Sequence, residues 1–184
     1  MPVTMRADQS VLVIIDVQER LCPAMDDPRR VLHNGARLIK GALRLGVPVV
    51  ATEQYPQGIG PTMFDLRDLL PDGTVVQKMT FSAAREPAFI DRLKGLGVSQ
   101  VVIMGTEAHV CVQQTALELA EQGWEVFCVT DACSSRDTAN QDAAYARMAA
   151  RGLSLVTTEM VLFEWLGEAG TPAFKDVLPL IKHG

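Results

Sequence analysis

With 184 residues, 48% of them apolar and 21% charged, the chain has the composition of a folded globular protein and the length of one domain, residues 1–184. A formal charge of −5 gives no basic footprint, which argues against nucleic acid as a partner. The apolar run Val11–Ile15 stops at Asp16, far short of the ~20 residues of a membrane span, and the segment ahead of it has no signal-peptide core. A cytoplasmic protein that does not engage membranes is the expectation.

Along the chain, short β-rich runs alternate with longer helical patterns. Strands are predicted at Val11–Asp16, Val47–Thr52, Thr74–Gln77, Gln100–Met104, Glu125–Val129 and Ser154–Val156. Most are continuous apolar runs, as expected of parallel strands covered on both faces. Asp27-Pro28 opens the first helix as cap and first helical residue, Leu32, Leu38, Ile39, Leu43 and Leu45 line it, and Gly46 closes it. Phe89, Ile90, Leu93 and Leu96 line the next, closed by Gly97; Cys111–Gln122 is closed by Gly123 and Ala139–Arg151 by Gly152. Met160–Leu166 is apolar on more than one face, the pattern of a buried helix. The alternation predicts an α/β fold, a three-layer α/β/α sandwich.

In open sheets of this kind ligands bind beyond the carboxyl ends of the strands. The first strand ends in Asp16, the third in Lys78, and the fourth runs into the turn Gly105–Cys111. An acid, an amine and a thiol therefore fall where chemistry is expected. Asp16 can act as a general base or as a plain loop cap; Lys78 can orient a charge or be a solvated end. Cys111, in the expected first turn of a helix, would have its thiolate favoured by the helix dipole. Backbone amides at that helix start can bind an oxyanion. Of the other cysteines, Cys128 belongs to a buried strand, and Cys22 and Cys133 are placed in turns. The four spacings match neither a redox CxxC nor a zinc ribbon.

Asp16 within VIIDVQ (13–18), Lys78 within VQKMTFSA (76–83) and Cys111 within GTEAHVCVQQTA (105–116) resemble the isochorismatase-like cysteine hydrolases. That group includes nicotinamidases and N-carbamoylsarcosine amidohydrolases. The resemblance runs from Val11 to about Phe163, takes in TDACSSR at Thr130–Arg136, and is nearest the isochorismatase domain-containing type through TEQYP (52–56) and EAHVC (107–111). It implies a six-stranded, mostly parallel sheet in order 3-2-1-4-5-6. It further implies a catalytic Asp16, Lys78 and Cys111, a cis peptide at Thr106–Glu107, and an oxyanion hole from the amides of Glu107 and Cys111. Homo-oligomers, dimers or larger, are common in the family.

The nicotinamidases carry an Asp-x-His metal motif after the second strand. Here Thr52-Glu53-Gln54-Tyr55 occupies that stretch, so neither a metal nor another cofactor is expected. No G-x-G-x-x-G follows the first strand, which removes a dinucleotide site. Gln18, Tyr55, Ile59 and Phe81 are candidate substrate contacts, and His109 either joins them or bonds to a backbone carbonyl. The reading is a hydrolase acting on a small amide or related C–N bond through a covalent thioester. A vinyl-ether hydrolase and a catalytically idle oligomeric scaffold are the alternatives.

Overall fold

The structure, a computed structural model, describes residues 4–182. In chain order its main elements are β1 (Ser10–Ile15), α1 (Pro28–Leu45), β2 (Val49–Gln54), the short α2 (Pro56–Ile59) and α3 (Phe64–Arg67), then β3 (Val75–Lys78) and α4 (Pro87–Leu96). There follow β4 (Gln100–Thr106), α5 (Gln113–Glu121), β5 (Glu125–Ser134), α6 (Thr138–Ala150), β6 (Ser154–Val156), α7 (Thr158–Leu166) and α8 (Pro172–Lys182). The six strands form one parallel sheet in order β3-β2-β1-β4-β5-β6. This is the predicted three-layer α/β/α sandwich. Among the described residues no helix is long and apolar enough to cross a membrane.

Every residue of β1, β2 and β4 is buried, which is why their centres, residues 11–15, 49–51 and 101–104, read as apolar runs. Each fully buried Val, Leu or Ile contributes ~1.5–3 kcal/mol. Helices α1, α7 and α8 pack on one another over one face, while α5 and α6 pack together over the other. Asp27 caps α1 by accepting from the Arg30 amide at 3.1 Å, and Gly46 ends it at φ 72°. Between β1 and β4 the chain changes the direction in which strands are added, so the two strand ends open a crevice. Gly105 lets them close on each other: a Cβ there would lie 2.1 Å from the Ile15 carbonyl oxygen, at φ 133°. Only glycine fits that approach.

Several boundaries differ from the sequence reading. Strand β4 continues to Thr106, and β5 to Ser134, past a register shift between Ile103 and Gly105. Cys133 therefore lies in a buried strand, not a turn. Cys22 sits in the single 3₁₀ turn Cys22–Ala24. Cys111 is not in the first turn of an α-helix: Ala108–Val112 forms a π-helical turn, with the Val112 amide donating to the Glu107 carbonyl five residues back, and α5 starts only at Gln113. Helix α7 buries Val161, Leu162 and Trp165 but leaves Met160 and Phe163 at the surface, so it is buried on one face only. Helix α8 lies beyond the predicted elements. Its interior Pro179 masks it in the sequence, and Arg37 satisfies its late carbonyls at Leu180 and Ile181.

Candidate active site

Asp16 leaves β1 in a left-handed conformation, φ 49°, which turns its carboxylate back over the sheet end. The register aligns Ile15 with Thr52 and Gln54 with Lys78, so β2 lies between the acid and the amine. The long Lys78 side chain spans that gap. Its Nζ lies 2.8 Å from Asp16 Oδ2, and both side chains are fully buried. The ammonium carries three protons. Three oxygens accept them: Gln54 Oε1 at 2.6 Å, the Phe81 carbonyl at 3.0 Å and the Thr80 carbonyl at 3.1 Å. Asp16 Oδ2 is paired with that ammonium at 2.8 Å but carries no hydrogen bond of good geometry among the described residues. The other oxygen, Oδ1, accepts from Thr52 Oγ1 at 2.6 Å, and the Asp16 carbonyl accepts from Thr106 Oγ1 at 2.7 Å. The carboxylate is locked in place by Thr52 on one oxygen and Lys78 on the other.

Cys111 reaches this pair from the π-turn. Its thiol is pushed up to about 12, first by burial, then by the negative charge of Asp16; Lys78 pulls the other way, and a hydrogen bond to Asp16 adds to the rise. The expectation of a dipole-favoured thiolate is overturned. Desolvation and the adjacent carboxylate outweigh a helix-start dipole, and the resting form is the thiol. Cys111 is 5% exposed while Cys22, Cys128 and Cys133 are sealed, so it is the accessible thiol of the four.

This arrangement sets the direction of one prediction. Asp16→Asn removes the Asp16 charge and leaves Lys78, so the Cys111 pKa falls. Each unit of fall multiplies the thiolate fraction about tenfold. Alkylation of Cys111 by iodoacetamide near neutral pH, followed by peptide mass spectrometry, should therefore accelerate in the variant. Unchanged or slower labelling would show that the carboxylate does not hold the thiol proton.

The Thr106–Glu107 peptide is cis. The Glu107 carboxylate accepts from the Arg136 amide at 3.1 Å and its Nε at 3.0 Å, which ties the turn to the segment after β5. Gln18 is not free for substrate: its Nε2 donates to the Gln54 and Gly60 carbonyls and its Oε1 accepts from the Gln54 amide. Both ends of a fully buried amide are committed, so Gln18 braces the loop and is removed from the substrate contacts. Tyr55 and Phe81 are exposed, at 47% and 58%, and Met79 lies exposed beside them. Ile59 is half-buried in α2, its carbonyl accepting from the Arg20 amide. His109 bonds through Nδ1 to Ser135 Oγ at 2.9 Å, not to a backbone carbonyl. It lines a cleft formed with α5 and α6.

The structure adds groups that the sequence reading passed over. Thr52 and Thr106 position Asp16, and Gln54 holds Lys78. Glu53, standing where nicotinamidases place metal-motif residues, is engaged by the amide and hydroxyl of Thr62 at 2.7 and 2.8 Å. Among the described residues no group of three or more His, Cys, Asp or Glu is placed to hold a metal ion.

The isochorismatase domain profile matches residues 10–160. The chain belongs to the isochorismatase family. It is 39% identical over 173 residues to isochorismatase domain-containing protein 1 of Salmo salar, a match covering 94% of this chain but 61% of that protein, so the chain spans about three-fifths of this relative's length. A structure described as MAR1 ribonuclease from Caenorhabditis elegans superposes with a TM-score of 0.92 at 35% identity, covering 97% of this chain and 92% of that one. YcaC from Pseudomonas aeruginosa, solved with hexane-2,5-diol and covalent acrylamide, gives a TM-score of 0.92 at 25% identity over 100% of this chain and 94% of its own.

Proposed function

We propose that this isochorismatase-family protein is a metal-independent hydrolase of small amides or related C–N bonds, with Cys111 as nucleophile, Asp16 as proton acceptor and donor, and Lys78 as the cation that orients Asp16. The observation that carries the reading is the Asp16 carboxylate, buried, ion-paired with Lys78 at 2.8 Å and close enough to the Cys111 thiol to raise its pKa. A carboxylate so placed beside a thiol is positioned to take its proton. Substrate entry displaces water, Oδ2 takes the thiol proton, and the sulfur attacks the amide carbonyl carbon. The amides of Glu107 and Cys111 receive the oxyanion, a type of contact worth ~3 kcal/mol per donor. Collapse breaks the C–N bond, the Asp16 proton goes to the leaving nitrogen, and a thioester remains on Cys111. Water then adds, giving its proton to Asp16, and the acid departs as the thiol is restored.

A raised thiol pKa fits this sequence of steps. The thiolate forms only as the carbonyl accepts it, so the resting site carries no free nucleophile. Covalent acrylamide in the Pseudomonas aeruginosa relative accords with a nucleophilic side chain in a protein of this fold, acrylamide being an electrophilic alkene. The ribonuclease description of the Caenorhabditis elegans relative offers a second reading, but a chain of charge −5 with its acid and amine sealed from solvent does not suit a phosphate backbone. The test is an ammonia-release screen over small amides and ureas, quenched in acid during turnover. Mass spectrometry should find an acyl group on Cys111; ammonia release with no adduct on any cysteine would rule out the thioester.

A further inference from the structure

A cleft of about 510 Å³, lined by none of Asp16, Lys78 and Cys111, lies between α5, α6 and the turn carrying His109. Arg147 of α6, Arg151 just past its end and Arg85 line it, with Gln113 and Gln114 from the start of α5. Arg85 is neutralised there by Glu118 at 2.6 Å. Arg147 and Arg151 enter no ion pair among the described residues. They stand four residues apart, Arg147 in the last turn of α6 and Arg151 as its C-cap, and both line the same cleft. Glu121 also lines the cleft and offsets one of the two positive charges, leaving a local excess of one in a chain of net charge −5.

The floor is polar as well. His109 uses Nδ1 on Ser135, which leaves Nε2 for the cleft. The side-chain amides of Gln113 and Gln114 bond to no protein group among the described residues, although Gln113 is only 8% exposed. Two guanidinium forks without an ion pair, a ring nitrogen and two amides face the cleft, and Glu121 is the one carboxylate there not engaged with Arg85. Planar forks of this kind suit the paired oxygens of carboxylate or phosphate.

We propose that this cleft binds a small dianion, a phosphate monoester or a dicarboxylate, clamped by Arg147 and Arg151 and seated on His109, Gln113 and Gln114. The site is separate from the proposed amide chemistry and stands or falls without it. Glu121 limits affinity, so binding in the millimolar range or somewhat tighter is expected.

Calorimetric titration with inorganic phosphate and, separately, succinate decides the matter and identifies which anion the cleft prefers. Saturable binding of at least one is expected, weakened at least about tenfold in Arg147→Gln/Arg151→Gln and strengthened in Glu121→Gln. The melting temperature and any amide turnover of the double variant should match the parent. Glu121→Gln, a single exposed change, keeps the proposal testable if the double variant folds poorly. No saturation by either anion, equal affinity in all three proteins, or a change of oligomeric mass as the only effect of the arginine replacements would each overturn it.

Discussion

Cys111→Ala should lower turnover of any amide substrate by at least about 10³-fold while leaving the fold intact. Removing the nucleophile of a covalent mechanism eliminates the only route through the thioester, and losses of this order or larger accompany such removals. The structural cost is small, because Cys111 contributes one sulfur to a π-turn whose backbone is held by Glu107 and by α5. The far-ultraviolet dichroism should be unchanged and the melting temperature lowered by a few degrees at most. Ammonia release measured side by side on parent and variant checks the first part, and thermal melting the second. Turnover retained in Cys111→Ala, with a substrate confirmed for the parent, would leave Asp16 acting alone. That result would remove the thioester route. No turnover in either protein together with alkylation of Cys111 no faster than that of the sealed Cys22 would favour the idle scaffold.

Sequence could place the strand ends because buried parallel strands announce themselves as apolar runs that stop at the first polar side chain. Asp16 and the Gly105–Cys111 turn were found in that way. Lys78 was harder, since β3 is an edge strand in which buried and exposed residues alternate. A lysine there usually points to water, and only its reach across β2 turns it inward. Register is the missing quantity. Nothing local in the sequence says that Thr52 faces Ile15 or that Gln54 faces Lys78, yet those alignments set which groups hold the acid and the amine. The same ignorance made Gln18 look like a substrate contact, when three bonds to the backbone show it to be a brace. The thiol acidity was misjudged for a different reason. A helix start was visible, but burial and a carboxylate next to the sulfur depend on tertiary packing, and they outweigh the dipole.

The largest effect on stability should come from Lys78→Met. Methionine fills most of the lysine volume, so the change deletes the charge more than the packing. It leaves Asp16 buried with Thr52 as its one side-chain donor and no counter-ion. Breaking one partner of a buried ion pair costs roughly 3–5 kcal/mol, because the remaining charge has neither water nor a partner. The carbonyls of Thr80 and Phe81 and the Gln54 amide oxygen also lose their donor. For a protein of this size each kcal/mol lowers the melting temperature by about 2–4 °C, which puts the expected drop in the range of ~6–20 °C. Asp16→Asn/Lys78→Met should recover a measurable part of that loss, since the second change removes the uncompensated charge. A double-mutant cycle from urea unfolding gives the coupling between the two side chains, expected to be well above the ~0.5 kcal/mol typical of independent sites. A coupling near zero, with Lys78→Met as stable as the parent, would mean that water already reaches the pair and that Lys78 does not hold the Asp16 side chain in place for its work on the thiol.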